Sequence, residues 1–217
     1  MQLVASVAHP ASVPEAEMAG ADCIELRLDL FPTPFPEEGG EAVRHCRLPI
    51  ILTVRSREEG GAFTGGTREW QALMEPWLPY AAMVDVEQQF SRSAPPLRDR
   101  GISIIASFHT QQMPSATELT AFESRLRRYG IPKIVVRPGS PDDVITLCSF
   151  TLHARQPIIT SIMGPEFRYA RMILPLFGSA MVFSYAGKPT AEGQFSVGEA
   201  RHLLSSLTSI VPTGSDH

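Results

Sequence analysis

Lys133 lies inside the run Ile131-Pro132-Lys133-Ile134-Val135-Val136, where an ammonium loses its hydration unless a partner replaces it. Lysine is scarce in this chain: of nineteen Lys and Arg residues, only Lys133 and Lys188 are lysine, so a lysine in an apolar run is not there for solubility. Desolvation favours the neutral amine, a nucleophile that attacks a ketone to give an iminium. That iminium accepts the electrons released when a neighbouring carbon loses its proton. The other reading is a lysine whose stem follows the strand while its head reaches water or a carboxylate. His109, ending Ser107-Phe108-His109, titrates in the range needed to take such a proton and return it to a departing hydroxyl. It could equally be a hydrogen-bonded histidine at a strand end. Arg55 and Arg171 suit a planar carboxylate, which a guanidinium grips through two parallel hydrogen bonds. Glu25, Arg27 and Asp29 alternate and so share one strand face; Glu58 and Glu59 follow Arg55; Asp85 and Glu87 alternate in Val84-Asp85-Val86-Glu87. Singly, each charge could be an ordinary ion pair or cap. Brought to one place, they are better explained by one site than by many accidents.

Only certain folds bring so many separate segments to one place. Short apolar runs near 2–7, 23–28, 49–55, 82–87, 102–108, 131–136, 157–162 and 180–185 predict eight strands, about 25 residues apart, the repeat of a βα unit. The runs from Ile102 to Phe108 and from Ile131 to Val136 are rich in β-branched residues and bounded by Gly101 and Gly130. Between them, Ser12 with Pro14 and Glu15 opens a helix that Gly20 stops, and Ser140-Pro141-Asp142-Asp143 opens another. The last helix is expected from Ser196 to Leu207, packing through Val197, Ala200, Leu203, Leu204 and Leu207. The expected fold is a (β/α)8 TIM barrel, a single catalytic domain over 1–211 with a disordered tail at 212–217 and a loop at Pro32-Thr33-Pro34-Phe35-Pro36. A doubly wound open sheet is the alternative, disfavoured because no Gly-rich dinucleotide turn is present. A barrel gathers its chemistry at the carboxyl ends of its strands. Arg55, Asp85, Glu87, His109, Lys133, Arg171 and the loop Gly187 to Gln194 would then share one mouth. Closely spaced glycines opening a helix after strands seven and eight, the usual barrel phosphate site, are missing.

Composition narrows the partners to a small molecule. The net charge of −4 comes without a basic stripe, which argues against nucleic acid, and no apolar run reaches membrane-spanning length. The N-terminus lacks the basic region of a signal peptide, so a cytoplasmic location is expected. Cys23, Cys46 and Cys148 read as reduced core residues, and the six histidines lack metal-ligand spacing, so no metal is expected.

Taken in order, these residues resemble type I 3-dehydroquinate dehydratase, the Schiff-base dehydroquinase of the shikimate pathway. The resemblance runs nearly the whole length. It rests on Glu25-Leu26-Arg27-Leu28-Asp29, Thr53-Val54-Arg55-Ser56 with Glu58-Glu59-Gly60-Gly61, Val84-Asp85-Val86-Glu87, Ser107-Phe108-His109, Lys133-Ile134, Met163-Gly164 followed by Arg171, and Gly187-Lys188 through Gly193-Gln194. It implies cofactor-free dehydration of 3-dehydroquinate to 3-dehydroshikimate, in a homodimer of the free-standing microbial kind. It also implies an imine on Lys133, general acid–base work by His109, and a carboxylate, Glu59, that holds the histidine. Arg171 is implied as the carboxylate clamp, Glu25, Arg27 and Arg55 as grips on the substrate hydroxyls, Ser6 as a polar position of the first strand, and Thr190 and Gln194 as parts of a closing loop. The chain departs from the family pattern at Thr110 and Gln111 after the histidine, at Phe167 and Ala170, and at Thr190, where Ser is usual. Two other readings stand beside this one: a class I aldolase, also an imine-forming barrel, and a non-catalytic metabolite-binding barrel. The last predicts that Lys133 or His109 is lost or tied up in an ion pair.

Overall fold

Alternation along the strands builds two apolar cores with a polar layer between them and the mouth. The computed structural model describes residues 1–32 and 37–210. Its strands are β1 (Gln2–Val7), β2 (Cys23–Arg27), β3 (Ile50–Thr53), β4 (Met83–Glu87), β5 (Ser103–Thr110), β6 (Ile131–Val136), β7 (Ile159–Ile162) and β8 (Met181–Tyr185), all eight within two residues of the positions expected. The helices are α1 (Val13–Met18), α2 (Glu37–Arg44), α3 (Thr67–Met74), α4 (Ala94–Asp99), α5 (Ala116–Leu126), α6 (Pro141–His153), α7 (Ala170–Ile173) and α8 (Val197–Ile210). Every strand pair is parallel, in the order β7-β6-β5-β4-β3-β2-β1-β8, a nearly closed (β/α)8 barrel. At the remaining seam a parallel bridge joins Ile158 to Ser179, and Ala180 N donates to Ile158 O at 2.8 Å.

Outward-facing Leu3, Ala5, Val7, Ile24, Leu26, Leu52, Val84, Val86, Ile134 and Val136 pack under the helices in the larger core. Inward-facing Val4, Cys23, Ile51, Ile105, Ile159, Met181 and Phe183 form a separate plug inside the barrel. Two residues further along the strands the interior becomes polar: Ser6, Glu25, Thr53, Asp85, Ser107, Lys133 and Ser161 are all buried. Desolvating such groups is costly unless each finds a partner, so the apolar layers supply the stability that this layer consumes.

Local rules place the helices. Ser140 Oγ accepts from Asp143 N at 3.2 Å and Asp143 caps back on Ser140 N at 3.1 Å, the reciprocal box that starts α6. Ser196 does the same with Glu199 for α8. Gly20, at φ 87, ends the turn after α1 as expected. On α8, Val197, Ala200 and Leu204 are buried and Leu207 packs at the edge, but Leu203 is exposed. The apolar stripe that packs is narrower than the pattern implied. The three cysteines are free, Cys23 and Cys148 buried and Cys46 half-buried. Of the expected loop at 32–36, residues from 33 on lie outside the described residues, as does the expected tail at 212–217.

Candidate active site

Lys133 is 4% exposed, and its Nζ donates to Asp85 Oδ2 at 2.9 Å, with Glu25 Oε1 at 3.7 Å and the Phe183 ring centroid at 3.8 Å. An unpaired, merely desolvated amine is therefore not what the fold provides: β4 supplies the counter-charge at the inward position of its strand. The ion pair is the feature expected of a non-catalytic barrel, so the neighbours must decide between the readings. Asp85 also receives Arg55 Nη2 at 2.9 Å and the Ser107 hydroxyl. Burial alone would raise the Asp85 carboxyl, but Arg55 and Lys133 outweigh it and hold it down to about 2. Glu25 is fixed by hydroxyls, receiving Ser6 Oγ from β1 and Thr53 Oγ1 from β3 at 2.8 Å. Lys133 Nζ is thus held at one point of a cavity wall.

His109 ends the inward face of β5, and its Nδ1 lies 2.8 Å from Glu59 Oε2, which also accepts His109 N at 3.1 Å. Glu59 comes from the loop after β3, and a tight turn delivers it. Gly61 N donates to Ser56 O at 2.7 Å, Gly60 sits at φ 86, and a Cβ on Gly61 would stand 2.1 Å from Arg55 O, so only glycine fits there. Burial, reinforced by Glu87 and Asp85 against the pull of Arg55, pushes the Glu59 carboxyl up to about 8. Burial, then the charges of Arg55 and Lys133, drive the His109 imidazole well below its ordinary value. Near neutral pH the pair therefore carries one proton between two atoms 2.8 Å apart, the stoichiometry of an acid–base relay. Arg55 is the hub beneath it, with Nη1 donating to Glu87 at 3.0 Å, Ser107 at 2.9 Å and Glu59 at 3.3 Å.

Arg171 is 6% exposed and makes no ion pair among the described residues; its Nε has no partner, and Nη2 donates to Glu192 O at 3.2 Å. Burial, with Arg168 nearby, lowers it to about 10. A buried guanidinium whose donors no carboxylate among the described residues engages suits an anion such as a carboxylate. Arg27 is gripped bidentately by Asp29 at 2.9 and 2.8 Å and turns Nη1 to Thr190 O at 3.3 Å. In the loop after β8, Gln194 Oε1 accepts from Thr190 N at 2.9 Å, Thr190 Oγ1 at 3.0 Å and Ala191 N at 3.0 Å, folding that loop over the mouth.

The ten residues to which the resemblance gave roles, Ser6, Glu25, Arg27, Arg55, Glu59, His109, Lys133, Arg171, Thr190 and Gln194, line one cavity of about 570 Å³, its open mouth included, whereas Asp85 and Glu87, expected at the same mouth, lie behind its lining as buried partners of Lys133 and Arg55. Val135, Ser161, Ile162 and Phe183 line it too and were not singled out; the inward positions of Val135, Ser161 and Phe183 on β6 to β8 were the available signal, and Met163, named only as part of a motif, joins them just after β7. The departures Thr110 and Gln111 leave the imidazole alone: Thr110 Oγ1 accepts from Gln112 N, and Gln111 Oε1 accepts from Arg137. Phe167 packs against the outer core, and Ala170 is buried at the start of α7. A cavity with a fixed amine, a one-proton imidazole–carboxyl pair and an unpaired buried guanidinium suits a carboxylate-bearing ketone, and an inert barrel has no need of the last two.

Comparison with known proteins points the same way. A family model described as type I 3-dehydroquinase matches residues 6–210. A 3-dehydroquinate dehydratase of Methanoregula boonei is 45% identical over 215 residues, covering 96% of this chain and 100% of that protein. One of Methanospirillum hungatei is 36% identical, covering 94% and 82%. Among solved structures, the 3-dehydroquinate dehydratase of Geobacillus kaustophilus superposes with a TM-score of 0.82 at 27% identity, covering 96% of this chain and 91% of that one.

Proposed function

Because the chain belongs to the type I 3-dehydroquinase family, we propose that it dehydrates 3-dehydroquinate to 3-dehydroshikimate through an imine on Lys133, the third step of the chorismate route to aromatic amino acids. The observation that carries this reading is the meeting of Lys133, the Glu59–His109 pair and the unpaired Arg171 guanidinium on one cavity.

Lys133 gives up its proton to the Glu59–His109 pair, and the free amine attacks the C3 ketone while Asp85 and Glu25 keep it oriented. His109 protonates the departing carbinolamine hydroxyl, leaving an iminium that acidifies C2. The imidazole then takes the C2 proton, and the resulting enamine expels the C1 hydroxyl, which leaves as water carrying that proton. Hydrolysis of the iminium frees the product. The C2 proton departs with the C1 hydroxyl as water, and the proton taken from Lys133 and spent on the carbinolamine is recovered from the water that hydrolyses the iminium and returned to Lys133, so the Glu59–His109 pair ends as it began and no redox cofactor is needed. Arg171 holds the C1 carboxylate through the donors the protein leaves free. Thr190 and Gln194 close over the substrate beside Glu25, Arg27 and Ser6. Arg55, whose donors are already engaged by Asp85, Glu87, Glu59 and Ser107, acts chiefly by ordering that mouth.

The mechanism is tested by treating the protein with dehydroquinate and borohydride and mapping the reduced adduct by peptide mass. The expected address is Lys133, with Lys188 the single other lysine; an unmodified Lys133 alongside normal turnover would overturn the mechanism. His109→Ala should lose turnover by about 10²- to 10⁴-fold while still forming the adduct. The same reading extends to a cytoplasmic homodimer whose catalytic barrel spans 1–211. Ile145 and Leu152, seven apart on α6 and 65% and 57% exposed, are an apolar pair that a dimer contact would cover. Light scattering at micromolar concentration should give twice the chain mass, and a monomer would rule the homodimer out.

A further inference from the structure

The loop after β8 is tied to the barrel through alternate carbonyls, each met by an arginine: Arg27 donates to Thr190 O, Arg171 to Glu192 O and Arg168 to Gln194 O at 3.3 Å. Two of these arginines line the substrate cavity, and Arg168 does not. Its guanidinium lies instead on the outer side of the loop, 3.8 Å from the Phe195 ring centroid. It sits three residues before Arg171 in the turn leading into α7, where Arg171 N donates to Arg168 O at 3.1 Å, so the two arginines present a two-pronged seat to the loop. The loop meets that seat closely, since a Cβ on Gly193 would stand 2.4 Å from Gly164 O on the facing segment. At its far end the loop is anchored by Tyr185 N donating to Phe195 O at 3.0 Å and by the Tyr185–Ser196 bridge.

Resting on the dehydratase reading for its kinetic consequence, we propose that Arg168 is a positioning residue that clasps the loop shut from outside, setting the fraction of enzyme whose Thr190 and Gln194 are in place for substrate. It touches neither substrate nor reacting atoms. Its grip combines a planar donor to a carbonyl with a stacked face on an aromatic ring, a combination lysine reproduces only in part. Because substrate affinity scales with the closed fraction, loosening the clasp raises KM and spares the chemical step once the loop has closed.

The test uses Arg168→Met, which keeps the stem and loses the donors and charge, and Arg168→Lys, which keeps the charge. Backbone hydrogen exchange of the ligand-free proteins should be about tenfold faster at residues 190–195 in Arg168→Met, with β4 to β6 unchanged. KM for dehydroquinate should rise about tenfold with kcat within about twofold, and Arg168→Lys should recover at most part of either effect. Unchanged exchange in the loop, or a fall in kcat at constant KM, would overturn the clasp. Full recovery by lysine would overturn it as well, by showing that charge alone matters. Exchange is read without ligand, so an absence of turnover in the unsubstituted protein would refute the dehydratase reading and leave the clasp to be judged by exchange.

Discussion

Glu59 and His109 couple stability to pH in a way neither would alone. A carboxyl raised from 4.5 to about 8 contributes stability that is full below 4.5 and lost as pH climbs to about 8. An imidazole depressed from 6.5 contributes stability that is full above 6.5 and lost as pH falls. Below 6.5 the two slopes oppose each other, the imidazole's against the carboxyl's. From 6.5 to about 8 the unfolded pair holds none, and the folded state loses up to about 2 kcal/mol, roughly 1.4 per pH unit. Thermal melts of the ligand-free protein should therefore fall by about 4 °C or more across that window. Glu59→Gln should flatten this decline, and an equal decline in the variant would place the raised group elsewhere. At Lys133 the chemistry was legible from an odd residue in an apolar run, but its partner was not: Asp85 is 48 positions away in sequence, and only the barrel makes β4 and β6 near neighbours around β5. Asp85→Asn should leave Lys133 without its buried counter-charge, cost about 3–5 kcal/mol, and slow borohydride-trapped adduct formation by more than tenfold.

The strands were legible because their apolar residues alternate or run continuously, and each was placed within two residues. Loops obey local turn chemistry that leaves fainter traces, and here the traces are glycines. In Glu58-Glu59-Gly60-Gly61 the sequence names a turn, yet only the backbone shows why Gly61 is needed: a Cβ there would collide with the Arg55 carbonyl, and the tight turn this permits carries Glu59 to the imidazole. Gly61→Ala should force the turn open, keep the barrel's circular dichroism, and lower kcat about 100-fold or more by parting Glu59 from His109. Activity within a factor of about three would show that Glu59 reaches His109 without this turn. The closing loop was read from Thr190 and Gln194, but its attachment runs through the backbone carbonyls of 190, 192 and 194, which no side-chain pattern encodes.

For the whole molecule, the weak point of the barrel is also where its mouth is covered. No ladder joins β7 to β8, and the seam is held at the amino ends of these strands by Ser179, whose buried hydroxyl accepts Thr160 N and donates to Thr160 O, each at 3.0 Å. One side chain thus substitutes for missing ladder bonds. At the carboxyl ends, Gly193 of the loop after β8 sits on Gly164 after β7, so the same gap is spanned by the segment that covers the cavity mouth. Division of labour along the seam follows: a side-chain tie at the bottom keeps the barrel round while the loop held by Arg27, Arg171 and Arg168 covers the top. Ser179→Ala would strand a buried N–H, costing about 1–3 kcal/mol, or roughly 2–4 °C of melting temperature per kcal/mol. Because neither Ser179 nor Thr160 lines the cavity, turnover at 25 °C should stay within about twofold. An unchanged melting temperature would show that the seam is closed by packing alone; a large loss of kcat at 25 °C would show that its two ends are coupled.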